Sequence, residues 1–386
     1  MSDFFCPLPW IHQFIQPSGI KVCCSSTEQL AVTSAEFERS EFLQTIKETI
    51  LSGSAPKSCE ACVKNEANNL TSTRTDALRD WPKYTAETVP HAIEYLDLRY
   101  DNLCNFACRT CEPNFSTSID KEVDEHPELK KFYSTQFIKL DRSNISNEIK
   151  EYYPTLKRLN LTGGEPLLIK ENLRILQELI DAGRTNVQLI ITTNVSTVNP
   201  KMLMLISQFD DVHWTLSIDA IEDAAEYIRY GSKWATIEKN VNDILGLDHS
   251  VAINTTISAY SILTLSKLVS WFIDLKDTYN RQPLEIMFHT VTYPRHLHPQ
   301  ALSGMRRHQA LVELQRSIDI LKDIANNPER ELDNLKNLQS TLVSAPEHAG
   351  LVKKFNEFTS MLDSIRNQNF NQTFICLLYT SDAADE

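Results

Sequence analysis

The sequence predicts an α/β protein whose sheet is built from parallel strands that alternate with helices. Six short runs rich in apolar, β-branched or aromatic residues are typical of strands, at residues 93–100, 156–161, 187–193, 212–218, 251–257 and 284–290. Hydrophobic residues at helical spacing lie between most of them, at 171–182, 199–209, 234–247 and 262–275. This alternation favours a parallel sheet with right-handed crossovers.

Three thiols lie close together in the loop that follows the first predicted strand. Cys104, Cys108 and Cys111 are separated by three and then two residues. Thiolates at this spacing can hold a metal centre, and zinc sites usually close with four ligands. Three thiolates alone therefore favour an iron–sulfur cluster with one iron left open. A fragment of a zinc site or a chance arrangement is the alternative.

A second motif follows the second predicted strand, where Gly163, Gly164, Glu165 and Pro166 form a Gly-Gly-Glu-Pro sequence. The two motifs, in this order at the ends of successive strands, resemble the radical S-adenosylmethionine (SAM) superfamily. The resemblance implies a partial (β/α)6 TIM-like barrel with its chemistry at the carboxyl ends of the strands. It also implies a [4Fe–4S] cluster on the three cysteines, with SAM on the fourth iron. The Gly-Gly-Glu-Pro turn then contacts the methionine amino group.

Further cofactor contacts are implied at the ends of later strands. By resemblance, Asn194, Ser217 and Asp219 bind the ribose hydroxyls or the methionine carboxylate, and Arg229 pairs with that carboxylate. Capping of the following helix by each of the first three residues, and a surface salt bridge of Arg229, are the alternatives. The superfamily often has an aromatic residue before the third cysteine, which packs on the adenine. This chain has Thr110 there, so the candidates for stacking on the adenine are Phe106 and Phe115.

A second group of cysteines lies in the first 85 residues. Cys6 opens a C-x-x-P-W pattern, a glycine precedes Cys24 by five residues, and Cys59 and Cys62 form a CxxC pair. This arrangement resembles the twitch and SPASM modules of radical SAM enzymes, which hold auxiliary [4Fe–4S] clusters, although those modules usually follow the core. A zinc site and plain buried thiols remain open alternatives. Cys23 competes with Cys24 for one ligand position.

Length and charge limit the possible classes of protein. The 386 residues suffice for one large and one smaller domain, and the net charge of −13 disfavours general binding to nucleic acid. We expect no membrane span and no signal peptide. Nine cysteines in such a chain favour a reducing cytoplasm.

The predicted organisation has four parts. A Cys-rich module covers residues 1–85, a radical SAM core covers 90–295, and a helical region covers 296–375. Amphipathic stripes at 310–325, 329–342 and 352–365 indicate helices packed outside the barrel. Residues 376–386, which include Cys376, resemble translated adapter sequence, and we expect them to be non-native.

The predicted function is that of a radical SAM enzyme. Such an enzyme cleaves SAM reductively to a 5′-deoxyadenosyl radical, which abstracts a hydrogen atom from the substrate. The twitch/SPASM resemblance implies a peptide or protein substrate and an external electron donor such as flavodoxin or ferredoxin. A non-enzymatic zinc or iron–sulfur binding module and an RNA-modifying radical SAM enzyme are the alternative functions. His289, His296 and His298 follow the sixth strand, but their spacing does not indicate a metal site, and we expect them to be polar residues at the barrel mouth or on the surface.

Overall fold

We describe the fold from a computed structural model, which describes residues 4–68, 70–134, 139–280, 283–322 and 329–375. In chain order, the strands are β1 (His12–Gln16), β2 (Gly19–Lys21), β3 (Tyr95–Leu98), β4 (Ala107–Cys108), β5 (Arg158–Leu161), β6 (Gln188–Thr193), β7 (Val212–Ser217), β8 (Arg229–Tyr230), β9 (Ser250–Ile257) and β10 (Leu284–Thr290).

The α-helices alternate with these strands through most of the chain. They are α1 (Leu8–Ile11), α2 (Ser34–Glu38), α3 (Glu41–Leu51), α4 (Glu60–Ala67), α5 (Thr73–Asp80), α6 (Thr117–Glu125), α7 (Ile145–Ile149), α8 (Lys170–Asp181), α9 (Pro200–Ile206), α10 (Glu222–Ile228), α11 (Trp234–Leu245), α12 (Leu265–Thr278), α13 (Gly304–Lys322), α14 (Glu329–Ser344), α15 (Ala349–Arg366) and α16 (Phe370–Thr373). None of the helices in the described part of the chain combines the length and apolar character that crossing a membrane requires.

The chain divides into two compact units. The first comprises residues 1–103, 136–192 and 199–212, and its strands lie in the order β6-β5-β3-β1-β2. Neighbours are parallel except for β1 and β2, which form an antiparallel pair. The helix-facing side is apolar, with Leu96, Leu159 and Leu189 fully buried. Burial of these leucines gives this unit its core.

The second unit comprises residues 104–135, 193–198 and 213–386. Its parallel strands lie in the order β7-β9-β10, and β4 and β8 form a separate antiparallel pair. Helices α13 to α15 pack as a C-terminal layer, as their amphipathic stripes predicted; Leu314, Leu335 and Leu362 are fully buried. The predicted helix at 310–325 ends at Lys322 in the described chain, and its last three residues, like 376–386, lie outside the described residues.

The predicted fold class is confirmed. All six predicted strands are present as β3, β5, β6, β7, β9 and β10, and each is followed by a helix. Local chemistry explains the helix starts: the side chain of Asn199 accepts hydrogen bonds from the backbone N–H groups of Lys201 and Met202, and Pro200 occupies the first helical position. The sequence analysis missed β1, which pairs in parallel with β3 and so joins the Cys-rich segment to the sheet of the first unit.

Candidate cofactor site

The three-cysteine loop lies in the second unit and is held by a short backbone pairing. Cys108 pairs with Arg229 through strands β4 and β8, and the N–H of Arg109 donates to the carbonyl of Ile228 at 2.8 Å. The N–H of Cys104 donates to Thr117 Oγ1 at 3.1 Å. The loop is therefore fixed at its first two cysteines by backbone contacts.

A buried ion pair lies beside the second cysteine. Arg229 Nη2 is 2.9 Å from Asp219 Oδ2, and their side chains are 14% and 1% exposed. Burial raises the pKa of the Cys108 thiol to about 12, Arg229 opposes this, and the neighbouring Cys111 and Cys104 add to it. Cys108 thus lies within electrostatic range of the other two thiols, and Arg229 lies within range of Cys108 and Cys111.

Asn194 lies next to the first cysteine. Its Nδ2 is 3.7 Å from Cys104 Sγ and donates to Asn105 Oδ1 at 3.1 Å. Its Oδ1 accepts a hydrogen bond from the N–H of Ser196 at 2.8 Å. The structure therefore places this predicted cofactor residue against the cluster loop.

Three other predictions from the sequence fall in the same unit. Ser217 ends β7, where it is half-buried and aligns with Asn254 of β9. Phe106, one of two aromatic candidates for stacking on the adenine, is only 2% exposed, whereas Phe115 is half-buried. Burial of Phe106 removes its ring from contact with a ligand in this conformation and leaves Phe115 as the more accessible candidate.

The Gly-Gly-Glu-Pro turn lies in the first unit and packs against the residues that precede Cys104. The N–H of Gly164 donates to the carbonyl of Asp101 at 3.1 Å, and that of Glu165 donates to Leu103 at 2.7 Å. A Cβ atom on Gly164 would lie 2.2 Å from the Leu103 carbonyl oxygen. Glycine is therefore required here by the close approach of backbone to backbone, in addition to any approach of a ligand.

The following two residues of the motif have structural partners of their own. Glu165 is fully buried, and its Oε1 accepts a hydrogen bond from the N–H of Leu167 at 3.1 Å. Pro166 begins a 3₁₀ helix, and its carbonyl accepts from Asn172 Nδ2 at 2.9 Å. Both contacts fix the turn; the predicted contact of Glu165 with the methionine amino group remains a prediction.

In the N-terminal Cys-rich segment, four thiols line one small cavity of about 10 Å³. The four are Cys6, Cys23, Cys59 and Cys62, and Arg74 lines the same cavity. Burial raises the pKa of Cys6 to about 12 and that of Cys59 to about 11. Four soft donors around one space, with a cation beside them, suit a thiolate-bound metal by their chemical type, although their present geometry does not form a metal site.

Cys24 lies outside the lining of this cavity. Its Sγ is 3.9 Å from Ser25 Oγ and 4.0 Å from Thr73 Oγ1, and the residue is exposed. The prediction of Cys24 as a ligand rested on its spacing from Gly19, whereas the structure places Cys23 with the other three thiols. Cys23 lies in a bend and Cys24 in a turn shortly after β2, and of the two only Cys23 lines the cavity.

The described cysteines are all free thiols, so none is lost to a disulfide. Among the residues that the structure describes, no three His, Cys, Asp or Glu side chains stand in a geometry that would hold a metal ion directly. Cys104, Cys108 and Cys111 nevertheless fit an anionic cluster chemically, because they are soft donors from one loop with Arg229 beside Cys108.

Sequence reasoning missed two buried residues of the second unit. Arg109, between the second and third cysteines, is fully buried and bonds to Asp363, 254 positions later. His296 is only 2% exposed, and its ring lies 5.0 Å from that of Phe358, so it is a core residue rather than part of a polar surface. No local pattern could have revealed either, because their partners are distant in the sequence.

Comparison with known proteins gives one family match. Residues 101–259 match the radical SAM superfamily. Among curated proteins, a sequence search finds no match. This matched segment contains both the three cysteines and the Gly-Gly-Glu-Pro motif, together with Asn194, Ser217, Asp219 and Arg229.

Solved structures show a weaker likeness. Native anSMEcpe with bound AdoMet has 13% identity and a TM-score of 0.42, over 60% of this chain and 61% of that one. SuiB of Streptococcus suis bound to precursor peptide SuiA has 13% identity and a TM-score of 0.38, over 82% and 68%. TYW1 with a lysine-pyruvate adduct has 15% identity and a TM-score of 0.31, over 60% and 71%.

The chain spans about three fifths of the length of anSMEcpe, and TM-scores below 0.5 carry no conclusion about function. The family match is specific to the segment that holds both motifs. Residues 101–259 therefore match the radical SAM superfamily, which supports the superfamily predicted from the sequence for this segment.

Proposed function

We propose that the chain cleaves SAM reductively at a [4Fe–4S] cluster held by Cys104, Cys108 and Cys111. A bound cluster, reduced by an external donor, would pass one electron to SAM, which would be cleaved to methionine and a 5′-deoxyadenosyl radical for hydrogen abstraction. The observation that carries this proposal is the three-thiol loop with Arg229 and Asn194 against it, within a segment that matches the radical SAM superfamily.

The residues around the loop have separate roles in this proposal. Arg229 offsets the negative charge of the thiolates, because its guanidinium is buried beside Cys108. Asp219 holds that guanidinium in place, and Asn194 donates toward Cys104. Glycines 163 and 164 and the Glu165–Pro166 pair bind the methionine end of SAM, and Ser217 contributes a hydroxyl at the end of β7.

For the substrate, we propose a peptide or protein. The support is the resemblance of the N-terminal cysteine pattern to twitch and SPASM modules, and the acidic net charge, which disfavours an RNA substrate. Some of the similar structures contain bound peptides, which is a property of those proteins. An external electron donor of the flavodoxin or ferredoxin type would supply the electron, in a reducing, cytoplasmic setting.

We also propose that the N-terminal thiols hold an auxiliary [4Fe–4S] cluster, with zinc as the alternative. The support is the convergence of Cys6, Cys23, Cys59 and Cys62 on one cavity with Arg74. Metal analysis separates the two, because about eight irons per chain indicate two clusters, whereas about four irons with one zinc indicate a zinc site.

The test is formation of 5′-deoxyadenosine by the full chain after anaerobic reconstitution with iron and sulfide and addition of dithionite and SAM. We expect product from the wild type, none above background from Cys108→Ala, and product from the matched control Cys24→Ala, whose thiol lies outside the core loop. An iron-loaded wild type that forms no product would favour the binding-module alternative. If Cys108→Ala formed as much 5′-deoxyadenosine as the wild type, the assignment of the cluster to these three cysteines would be wrong. Salt-sensitive binding of RNA would revive the RNA-modifying alternative.

A further inference from the structure

Arg109 lies between the second and third cysteines of the cluster loop, and its side chain is fully buried. A buried charge is unfavourable unless it is paired and hydrogen-bonded. Nothing in the spacing of the cysteines requires arginine at this position. Its partners therefore indicate what the residue does for the loop.

The partners of Arg109 come from the end of the C-terminal helix α15, from the residues just after it and from α10. Nη2 donates to Asp363 Oδ1 at 2.6 Å and to Gln368 Oε1 at 2.9 Å. Nε donates to the carbonyl of Tyr227 at 3.1 Å, and the guanidinium carbon lies 3.7 Å from the centre of the Tyr227 ring. The cation is thus held on an aromatic face and by two acceptors near residue 365.

Asp363 is itself held in one orientation. The hydroxyl of Tyr227 donates to its Oδ1 at 2.7 Å, and the N–H of Phe370 donates to its Oδ2 at 2.8 Å. Each carboxylate oxygen of Asp363 therefore accepts a hydrogen bond from a donor other than Arg109. The orientation of this carboxylate therefore does not depend on the guanidinium alone. Such a carboxylate can position Arg109, which a mobile charge on the surface could not do.

A second buried pair joins the same end of α15 to the other side of the loop. Arg366 donates from Nε and Nη2 to the two carboxylate oxygens of Glu122, at 2.8 and 2.7 Å. Glu122 belongs to α6, the helix that begins six residues after Cys111. The guanidinium of Arg366 lies 4.7 Å from the centre of the Tyr230 ring, and Tyr230 pairs with Ala107 in the loop.

From these contacts we propose that Asp363 is a positioning residue for the cluster loop, acting through Arg109. Asp363 fixes the segment between Cys108 and Cys111 and neutralises a buried positive charge next to it. The C-terminal helical region is then part of the cluster site and not only an outer layer. This inference rests on the proposed function, because it requires a cluster on the three cysteines.

The charge on Asp363 gives the proposal a measurable sign. A reduced cluster is more negative than an oxidised one, so a nearby positive charge favours reduction. Without the Asp363 carboxylate, the charge of Arg109 is no longer neutralised. The midpoint potential of the core cluster should then rise, and it should stay unchanged in a variant that keeps the negative charge at this position.

The experiment compares full-length Asp363→Asn, Asp363→Glu and wild type after anaerobic reconstitution. The matched control is Glu148→Gln, which breaks the Arg142–Glu148 ion pair. This pair has the same N–O distance as Arg109–Asp363, 2.6 Å, and its side chains are 4% and 17% exposed, compared with 0% and 17% for Arg109 and Asp363. Two quantities are measured: the potential of the cluster whose EPR signal responds to SAM, and the rate at which a chelator removes its iron.

For Asp363→Asn we expect the midpoint potential of the cluster to rise by about 59 mV, which is a tenfold change in the one-electron reduction equilibrium. We also expect the chelator to remove iron faster than from the wild type. Asp363→Glu, which keeps the charge, and the control should retain the wild-type potential. If Asp363→Asn and the wild type had the same potential and the same rate of iron loss, the inference about Asp363 would be wrong, whereas the proposed function would be unaffected. A wild type with no SAM-responsive signal would overturn both it and the proposed function.

A second variant covers the case in which Asp363→Asn does not fold. Gln368→Ala removes the other acceptor of Arg109 and leaves every charge in place. We expect its iron to be lost at least threefold faster than in the wild type, at an unchanged potential. Iron loss at the wild-type rate would count against a positioning role for this end of α15.

Discussion

Arg229 and Asp219 form a buried ion pair beside Cys108, with 2.9 Å between Nη2 and Oδ2. Burial alone would lower the pKa of Arg229, but the Asp219 carboxylate and the Cys108 thiol outweigh burial and raise it. The two residues were predicted as separate cofactor contacts, whereas the structure joins them to each other and to the loop. The guanidinium therefore stays charged where thiolates must form.

The first prediction concerns this pair. Asp219→Asn leaves the buried guanidinium without its carboxylate, and breaking a buried pair in this way costs about 3–5 kcal/mol. We expect the free energy of unfolding in urea to fall by that amount and the iron content after reconstitution to fall with it. Asp243→Asn is the control, because the Lys239–Asp243 pair is 71% and 44% exposed and such pairs contribute about 0–1 kcal/mol. A loss no larger than that of the control would contradict the role of the pair.

The second prediction concerns the glycine turn. Gly164→Ala would place a Cβ 2.2 Å from the Leu103 carbonyl oxygen, so the backbone before Cys104 has to move. We expect a several-fold loss of iron incorporation, measured by iron analysis after reconstitution. Gly350→Ala is the control, since its Cβ would meet only the His348 side chain at 3.4 Å. Unchanged iron content in Gly164→Ala would show that this close approach does not matter for the cluster loop.

The third prediction separates the two adjacent N-terminal thiols. Cys23 lines the cavity with Cys6, Cys59 and Cys62, and Cys24 does not. We therefore expect Cys23→Ser to lose the auxiliary metal and Cys24→Ser to retain it, measured as iron and zinc per chain. Because the two positions are adjacent and the substitution is the same at both, each variant serves as the control for the other. Loss of metal from Cys24→Ser alone would restore the ligand set predicted from spacing.

The fourth prediction is a pH dependence. Burial lowers the pKa of His296 to about 4 in the folded chain, from about 6.5 when unfolded. Between these values the unfolded chain binds more protons, so stability is present above pH 6.5 and is lost as the pH falls toward 4. This single group contributes a loss of about 2 kcal/mol at pH 5.

Replacing the imidazole tests that contribution. We expect the free energy of unfolding of His296→Leu to fall less than that of the wild type between pH 7.5 and pH 5, by about 2 kcal/mol. His308→Leu, at an exposed histidine, is the control and should follow the wild type. If His296→Leu showed the wild-type pH dependence, then His296 would not be the buried neutral group that the structure indicates.

Much of the fold follows from local patterns in the sequence. The strands β3, β5, β6, β7, β9 and β10 were predictable, because each has an apolar face that must be buried and a helix after it. Strand β1 was not, because all five of its residues are buried although His12, Gln13 and Gln16 are polar. The strands β4 and β8 have two residues each, which is too short for any periodic signal.

The candidate site was predictable only in part. The motifs located Cys104, Cys108, Cys111 and the glycine turn, because the chemistry requires those residue types at fixed spacing. The Arg109–Asp363 contact joins positions 254 residues apart, and the inward direction of Cys23 depends on the local backbone. Such contacts are products of tertiary packing, which no spacing rule contains.

The central claim is that Cys104, Cys108 and Cys111 hold one [4Fe–4S] cluster whose open iron binds SAM. Its most direct test is the EPR spectrum of the reconstituted, dithionite-reduced chain with and without SAM, recorded for the wild type and for Cys108→Ala. The account predicts a reduced-cluster signal in the wild type that changes on addition of SAM and is missing from Cys108→Ala. A wild-type signal that SAM leaves unchanged, or one that Cys108→Ala retains in full, would contradict it.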